Sequence, residues 1–185
     1  MSTIPSLPEH LSPGLHLSPE DGACLMETVS LVCGEHWTDA PQCVHPLVAH
    51  LARIVNDSVS DDARDRLLIL VPLLTKPARQ DDASYAEVAY ACTSWALHTG
   101  SSPLLTHLHR VNAAQLAGRA TSARTWRMPA LLYRRGPAFR SVDAAARICR
   151  RISPSQRDDA LIQLLLRAMA VASAAPHPLF AQSSS

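Results

Sequence analysis

The sequence predicts an all-α protein, a compact bundle of about six or seven helices. Three observations lead there. Glycine is scarce, at 6 of 185 residues. Asn-Gly or Asp-Gly turns between alternating strands are missing, as are long β-branched runs; Asp21-Gly22 lies inside a helical stretch. Helix starts are signalled repeatedly by serine, at Ser18, Ser60, Ser102 and Ser153. Hydrophobic residues make up 47% of the chain and aromatics only 4%, so the core must be built from Leu, Val, Ile and Ala.

The elements follow in order. Residues 1–17 contain Pro5, Pro8, Pro13 and Gly14 and read as a flexible arm. Ser18 caps a first helix with Pro19 in its first turn and Glu20 and Asp21 at its positive end; it runs through Cys24, Met26 and Val29 and stops at Gly34. Residues 35–45 form a polar connector. A second helix spans Pro46 to Asp57. A third starts at Ser60 and breaks at Pro72. A fourth covers Asp82 to His98, closed by Gly100, and a fifth runs from Ser102-Pro103 to Gly118. Residues 119–140 are expected to be irregular, with Pro129 and Gly136-Pro137 as breaks. Helices then cover Ser141–Ile152 and 154–174, the last opened by Ser153 with Gln156 as a capping box. Residues 18–174 form one helical domain, and residues 175–185 a frayed tail.

Met1–Leu17 has neither a basic start nor an apolar stretch, which argues against a signal peptide. The longest apolar run, Leu67–Leu74, is interrupted by Pro72 and falls far short of the roughly 20 residues of a membrane span. A cytoplasmic protein with no membrane role is expected. Its five cysteines, at 24, 33, 43, 92 and 149, are then expected as reduced thiols or metal ligands rather than as a disulfide framework.

The stretch Gly22–Asp57 is the most distinctive: GACLMETVS, then GEHWTDAPQCVHPLVAHLARIVND. It resembles a family of actinobacterial and actinophage helical proteins that share this order of elements. The resemblance covers roughly residues 1–75. It implies that Gly22–Asp57 is a unit and implies no reaction. On a helical wheel, Leu25, Met26, Val29, Val32 and Cys33 form the core face of the first helix, with Cys24 and Glu27 away from it. Leu47, Val48, Leu51, Ile54 and Val55 form that of the second, opposite His50, Arg53 and Asp57. A connector that returns the chain would let Cys24, Glu27, Cys43 and His45 converge. Three readings stay open. Cys24, Cys43 and His45 can be ligands of zinc or another transition metal, supported by Glu27 or Asp39. Glu27, Asp39 and His45 can be catalytic groups. Or all of them cap and pack. No paired CxxC, no HExxH and no pair of ExxH motifs is present.

Charge is sorted along the chain. Residues 1–109 hold 13 acidic and 5 basic residues, and residues 110–185 hold 3 acidic and 12 basic. Nine arginines lie in residues 119–151, opposed only by Asp143 and interleaved with Trp126, Tyr133 and Phe139. Arg124, Arg127, Arg134 and Arg135 are the candidate anion-binding residues, because guanidinium forks suit phosphate and carboxylate. The competing reading is internal pairing with the acids of the first half. No helix-turn-helix, zinc-finger or RNA-binding signature accompanies them.

The function expected is that of a small interaction or regulatory protein that binds a protein or an anionic partner, nucleic acid included; assembly as a homodimer stays open. The alternative is a small-molecule enzyme or ligand-binding protein, with a Cys/His/Glu/Asp site between the first two helices.

Overall fold

A computed structural model describes residues 7–120 and 129–173, with no strand among them. The fold is all-α. The helices are α1 (Leu25–Val32), α2 (Pro46–Ser58), α3 (Asp61–Asp65), α4 (Val71–Leu74), α5 (Asp82–Thr99), α6 (Pro103–Ala120), α7 (Ala130–Tyr133), α8 (Phe139–Arg150) and α9 (Pro154–Ser173). A 3-10 stretch, Arg66–Leu70, joins α3 to α4, and a π-helical stretch, Arg134–Ala138, joins α7 to α8.

The long α5 is the hub, packing on α6, α8 and α9. The α5–α8 pair is rich in small buried side chains: Ala86, Ala89 and Ala96 on α5, and Ala144, Ala145 and Ala146 on α8. Small side chains at such a contact let helix axes approach closely. The helix α2 packs on α8 and α9 and carries α1, which also touches α4. The core is aliphatic, with Leu47, Leu51, Leu67, Leu105, Leu161, Leu164 and Leu165 sealed from solvent. Cys92 and Cys149 lie in it as small apolar groups, their thiols pushed up by burial to about 12 and about 11.

Several expectations are corrected. The first helix does not begin at Ser18. Pro19–Asp21 is one separate 3-10 turn, broken by Gly22 at φ 123°, and α1 starts at Leu25 with Cys24 as its N-cap. A Cβ on Gly22 would also lie 2.9 Å from the His16 ring, so that position needs glycine twice over. Pro72 does not end a helix; it lies in the first turn of the short α4, where its missing N–H costs nothing. Residues 130–140 are helical rather than irregular. The wide π turn accommodates Pro137, and the carbonyl of Pro137 accepts the Ser141 hydroxyl at 2.7 Å.

The arm is docked over its described part. Ser12 N–H donates to the Ala23 carbonyl (2.8 Å), Leu11 N–H to the Asp65 carboxylate (3.0 Å) and Gly14 N–H to that of Asp57 (2.8 Å). Leu11 itself enters the core. Among the described residues, no helix is long and apolar enough to cross a membrane.

Candidate functional site

Two regions carry the chemistry expected from the sequence, the α1–α2 unit and the arginine segment. In the first, Glu27 and Cys24 are not on an outward face; both are buried. The reason is the arm, which covers the side of α1 that the wheel leaves free. The Glu27 carboxylate accepts the backbone N–H of His16 (2.7 Å), the His16 Nδ1–H (2.8 Å) and the backbone N–H of Cys24 (2.7 Å). Cys24 Sγ in turn accepts the Glu27 N–H, closing a capping box with cysteine in the place of serine. Burial pushes the Cys24 thiol up to about 12, so it stays protonated. The indole of Trp37 donates to the His16 carbonyl at 2.8 Å and fixes the connector over the arm.

His45 is sealed from solvent at the N-terminus of α2. Its Nδ1 accepts the Leu47 N–H at 3.2 Å, which leaves Nε2–H to donate to Ser84 Oγ, also at 3.2 Å. Burial, aided by the Arg134 charge, lowers the imidazole to about 4. Tyr85 stacks at 4.7 Å in a tilted geometry. Asp39 is elsewhere, partly exposed, against Arg53 at 3.5 Å.

The set Glu27, Asp39, His45 is therefore not assembled as a catalytic group. One member is a buried cap, one a buried neutral ring with both nitrogens engaged, and one a surface ion pair. The metal set Cys24, Cys43, His45 is not assembled either. Cys43 is joined to Cys33 by a disulfide, Cys24 is a capping thiol, and His45 caps α2. This also corrects the expectation of free thiols throughout and of a buried, unpaired Cys33. Cys33 is only half buried and stands where the chain reverses. Gly34 follows in the left-handed region at φ 70°.

The reversal is organised by Glu35, a residue that the wheel and the motif spacings do not single out. Its carboxylate accepts the N–H of Gln42 (2.7 Å) and of Cys43 (2.8 Å), and so brings Cys43 back beside the end of α1. One signal of it exists in the sequence. Gly34 ends the helix directly after Cys33, so the chain turns between Cys33 and Cys43 and places them on facing arms of the turn.

In the second region, Arg124 and Arg127 lie outside the described residues. Arg134 is internally paired: it meets the Asp82 carboxylate, donates to the Gln80 carbonyl at 3.2 Å and sits 4.5 Å above the Tyr85 ring. It holds the π turn to the start of α5. Arg135 is exposed. The exposed arginines continue along α8 as Arg140, Arg147 and Arg150, with Arg151 at its C-cap. None of these five has an ion-pair partner among the described residues. Asp143, the lone acid of the segment, is taken up by His50 Nε2 at 2.7 Å. Of the interleaved aromatics, Trp126 lies outside the described residues; Tyr133 is buried with its hydroxyl on Asn112 (2.8 Å), and Phe139 packs edge-on against His50.

No family model, no curated relative and no solved structure matches the chain.

Proposed function

We propose that this chain is a helical interaction module that binds an anionic, phosphate-bearing partner on the arginine edge of α8. One observation carries the reading: Arg140, Arg147, Arg150 and Arg151 are exposed on one helix and its C-cap, with no carboxylate partner among the described residues. Internal pairing accounts for Arg134, Arg157 and Arg66, which meet Asp82, Asp158 and Asp159. It leaves the α8 row facing solvent.

The geometry suits a regular row of charge. At about 1.5 Å per residue, Arg140, Arg147 and Arg151 span about 16 Å within a narrow arc of the helix. That is the length of roughly five phosphates along one strand of duplex DNA. With Tyr133 buried and Phe139 packed against His50, α8 itself offers no aromatic stacking platform among the described residues, which favours contact to phosphate over contact to bases.

The test is titration of the protein with short duplex and single-stranded oligonucleotides at low and moderate salt. Binding at low salt that weakens steeply with salt is expected, with little dependence on sequence. The double substitution Arg147→Ala/Arg151→Ala should lower the salt slope by about 0.7–0.9 for each arginine removed. Absence of binding at low salt, or binding indifferent to the double substitution, overturns the reading.

A further inference from the structure

We propose that Cys33, Glu35 and Cys43 form a zinc site in the reduced protein, and that the Cys33–Cys43 disulfide is the closed, metal-excluding form of the same site. The two sulfurs and one carboxylate oxygen of Glu35 all lie within 4.8 Å of one another. Tetrahedral zinc, at about 2.3 Å from sulfur and about 2.0 Å from oxygen, spaces its ligand atoms by about 3.3–3.8 Å. Opening the S–S bond and small rotations of two half-buried side chains are enough to reach that spacing.

The scaffold is already in place. Glu35 N–H donates to the Ser30 carbonyl at 2.9 Å, and the Glu35 carboxylate holds the N–H groups of Gln42 and Cys43. These bonds fix the carboxylate beside the two sulfurs while leaving it lone pairs for a metal. Thr38 N–H on Ser30 Oγ (3.3 Å) and Arg53 on the Asp39 carbonyl (2.9 Å) tie down the rest of the turn. Glu35 also lines an open depression of about 480 Å³ with Gly34, His36 and Thr38, so its side of the turn faces solvent. Two thiolates and a carboxylate are a donor set that zinc takes readily. The other three cysteines do not compete, because all are buried.

The chemistry balances with a named reductant. A trialkylphosphine gives its electron pair to the disulfide, and the S–S bond breaks. Water supplies the oxygen of the phosphine oxide and one hydrogen to each sulfur. Zinc binding then releases two thiol protons to solvent. In reverse, hydrogen peroxide takes two electrons from the two thiolates. The disulfide forms, and the peroxide leaves as two waters after gaining two protons and losing its O–O bond.

The experiment uses the full chain, reduced with a trialkylphosphine, freed of excess reagent under nitrogen and titrated with Co²⁺ and then Zn²⁺. The reduced protein should bind one Co²⁺ with a sulfur-to-cobalt charge-transfer band, which zinc abolishes by displacement. The oxidised protein should show no band, and peroxide should release bound zinc to a chelating dye. Cys33→Ser and Cys43→Ser should lose the band, with helical content unchanged. Glu35→Gln should keep it but bind cobalt at least about tenfold more weakly. Cys24→Ser, which retains an N-cap oxygen, should behave as wild type. A reduced wild type silent toward cobalt, a band lost in Cys24→Ser, or an unchanged affinity in Glu35→Gln overturns the site.

Discussion

His45 shows how a single residue can carry a pH dependence. Its imidazole is sealed and neutral, with its ordinary value of 6.5 lowered to about 4 by burial and by Arg134. Between those values the unfolded chain binds a proton that the native state refuses, so stability falls as the pH drops through that window. The loss reaches up to about 3 kcal/mol at its lower end. Asp65, Asp81 and Asp158, all held below the usual carboxylate value of 3.8, release their stabilisation only at lower pH. His10 runs the other way, since its hydrogen bond to Asp65 raises it, but it is fully exposed. Denaturant unfolding at pH 7 and pH 4.5 measures the difference. His45→Asn keeps a capping acceptor and should flatten it; an equal slope in the variant would sink the assignment. Glu27 is the second such residue. Three donors, from His16 and Cys24, converge on its buried carboxylate. Glu27→Ala strands them, and an unfolding free energy lower by about 3 kcal/mol or more is expected. A loss below about 1 kcal/mol would mean that water replaces the carboxylate.

Among the elements, the π turn and α8 depend on a buried polar node. Asn112 of α6 donates to Ser141 Oγ of α8 (3.0 Å) and Thr93 Oγ1 of α5 (3.3 Å), and accepts the Tyr133 hydroxyl of α7. One side chain thus ties four helices. The node fixes how α8 leaves the π turn, and therefore where its arginine edge points. Tyr133→Phe removes one donor and should cost about 1–2 kcal/mol; Asn112→Leu strands several groups and should cost more. Chemical denaturation of the two variants orders these effects. If Asn112→Leu is the milder change, the node is not what sets α8. Neither variant removes an arginine, so folded Tyr133→Phe should keep wild-type oligonucleotide affinity.

For the molecule as a whole, the arm is part of the fold. Residues 7–17 bridge α1, the connector, the end of α2 and α3 through Glu27, Trp37, Asp57 and Asp65. Asn56, fully buried, binds both ends of this arrangement, accepting from Leu25 N–H and donating to the Ser12 carbonyl. A chain starting at Leu17 leaves Glu27 buried without its histidine. It should lose on the order of 3 kcal/mol and a cooperative part of its unfolding transition. A thermal midpoint equal to that of the full chain would show the arm to be dispensable.

Local signals in the sequence by themselves determine the helical class, the Pro46 start of α2, the Gly100 end of α5 and the Pro154 start of α9. Proline geometry, glycine stops and the 3.6-residue period act within one turn of chain, so they can be read without knowing what packs where. The same wheel fails on α1, because it assigns one core face, and here the arm supplies a second from outside the helix. Residues 130–140 escape local reading for a related reason. Gly136-Pro137 breaks an isolated helix, but tertiary packing and the Ser141 hydroxyl stabilise a π turn across it. The partners of charged side chains lie beyond the sequence altogether. Nothing in the order of residues distinguishes Arg134, engaged by Asp82 and Tyr85, from Arg147, left in solvent. That division is made by which helices α5 gathers around itself. Likewise the chain reversal at Gly34, fixed by Glu35, joins Cys43 to Cys33 rather than to Cys24.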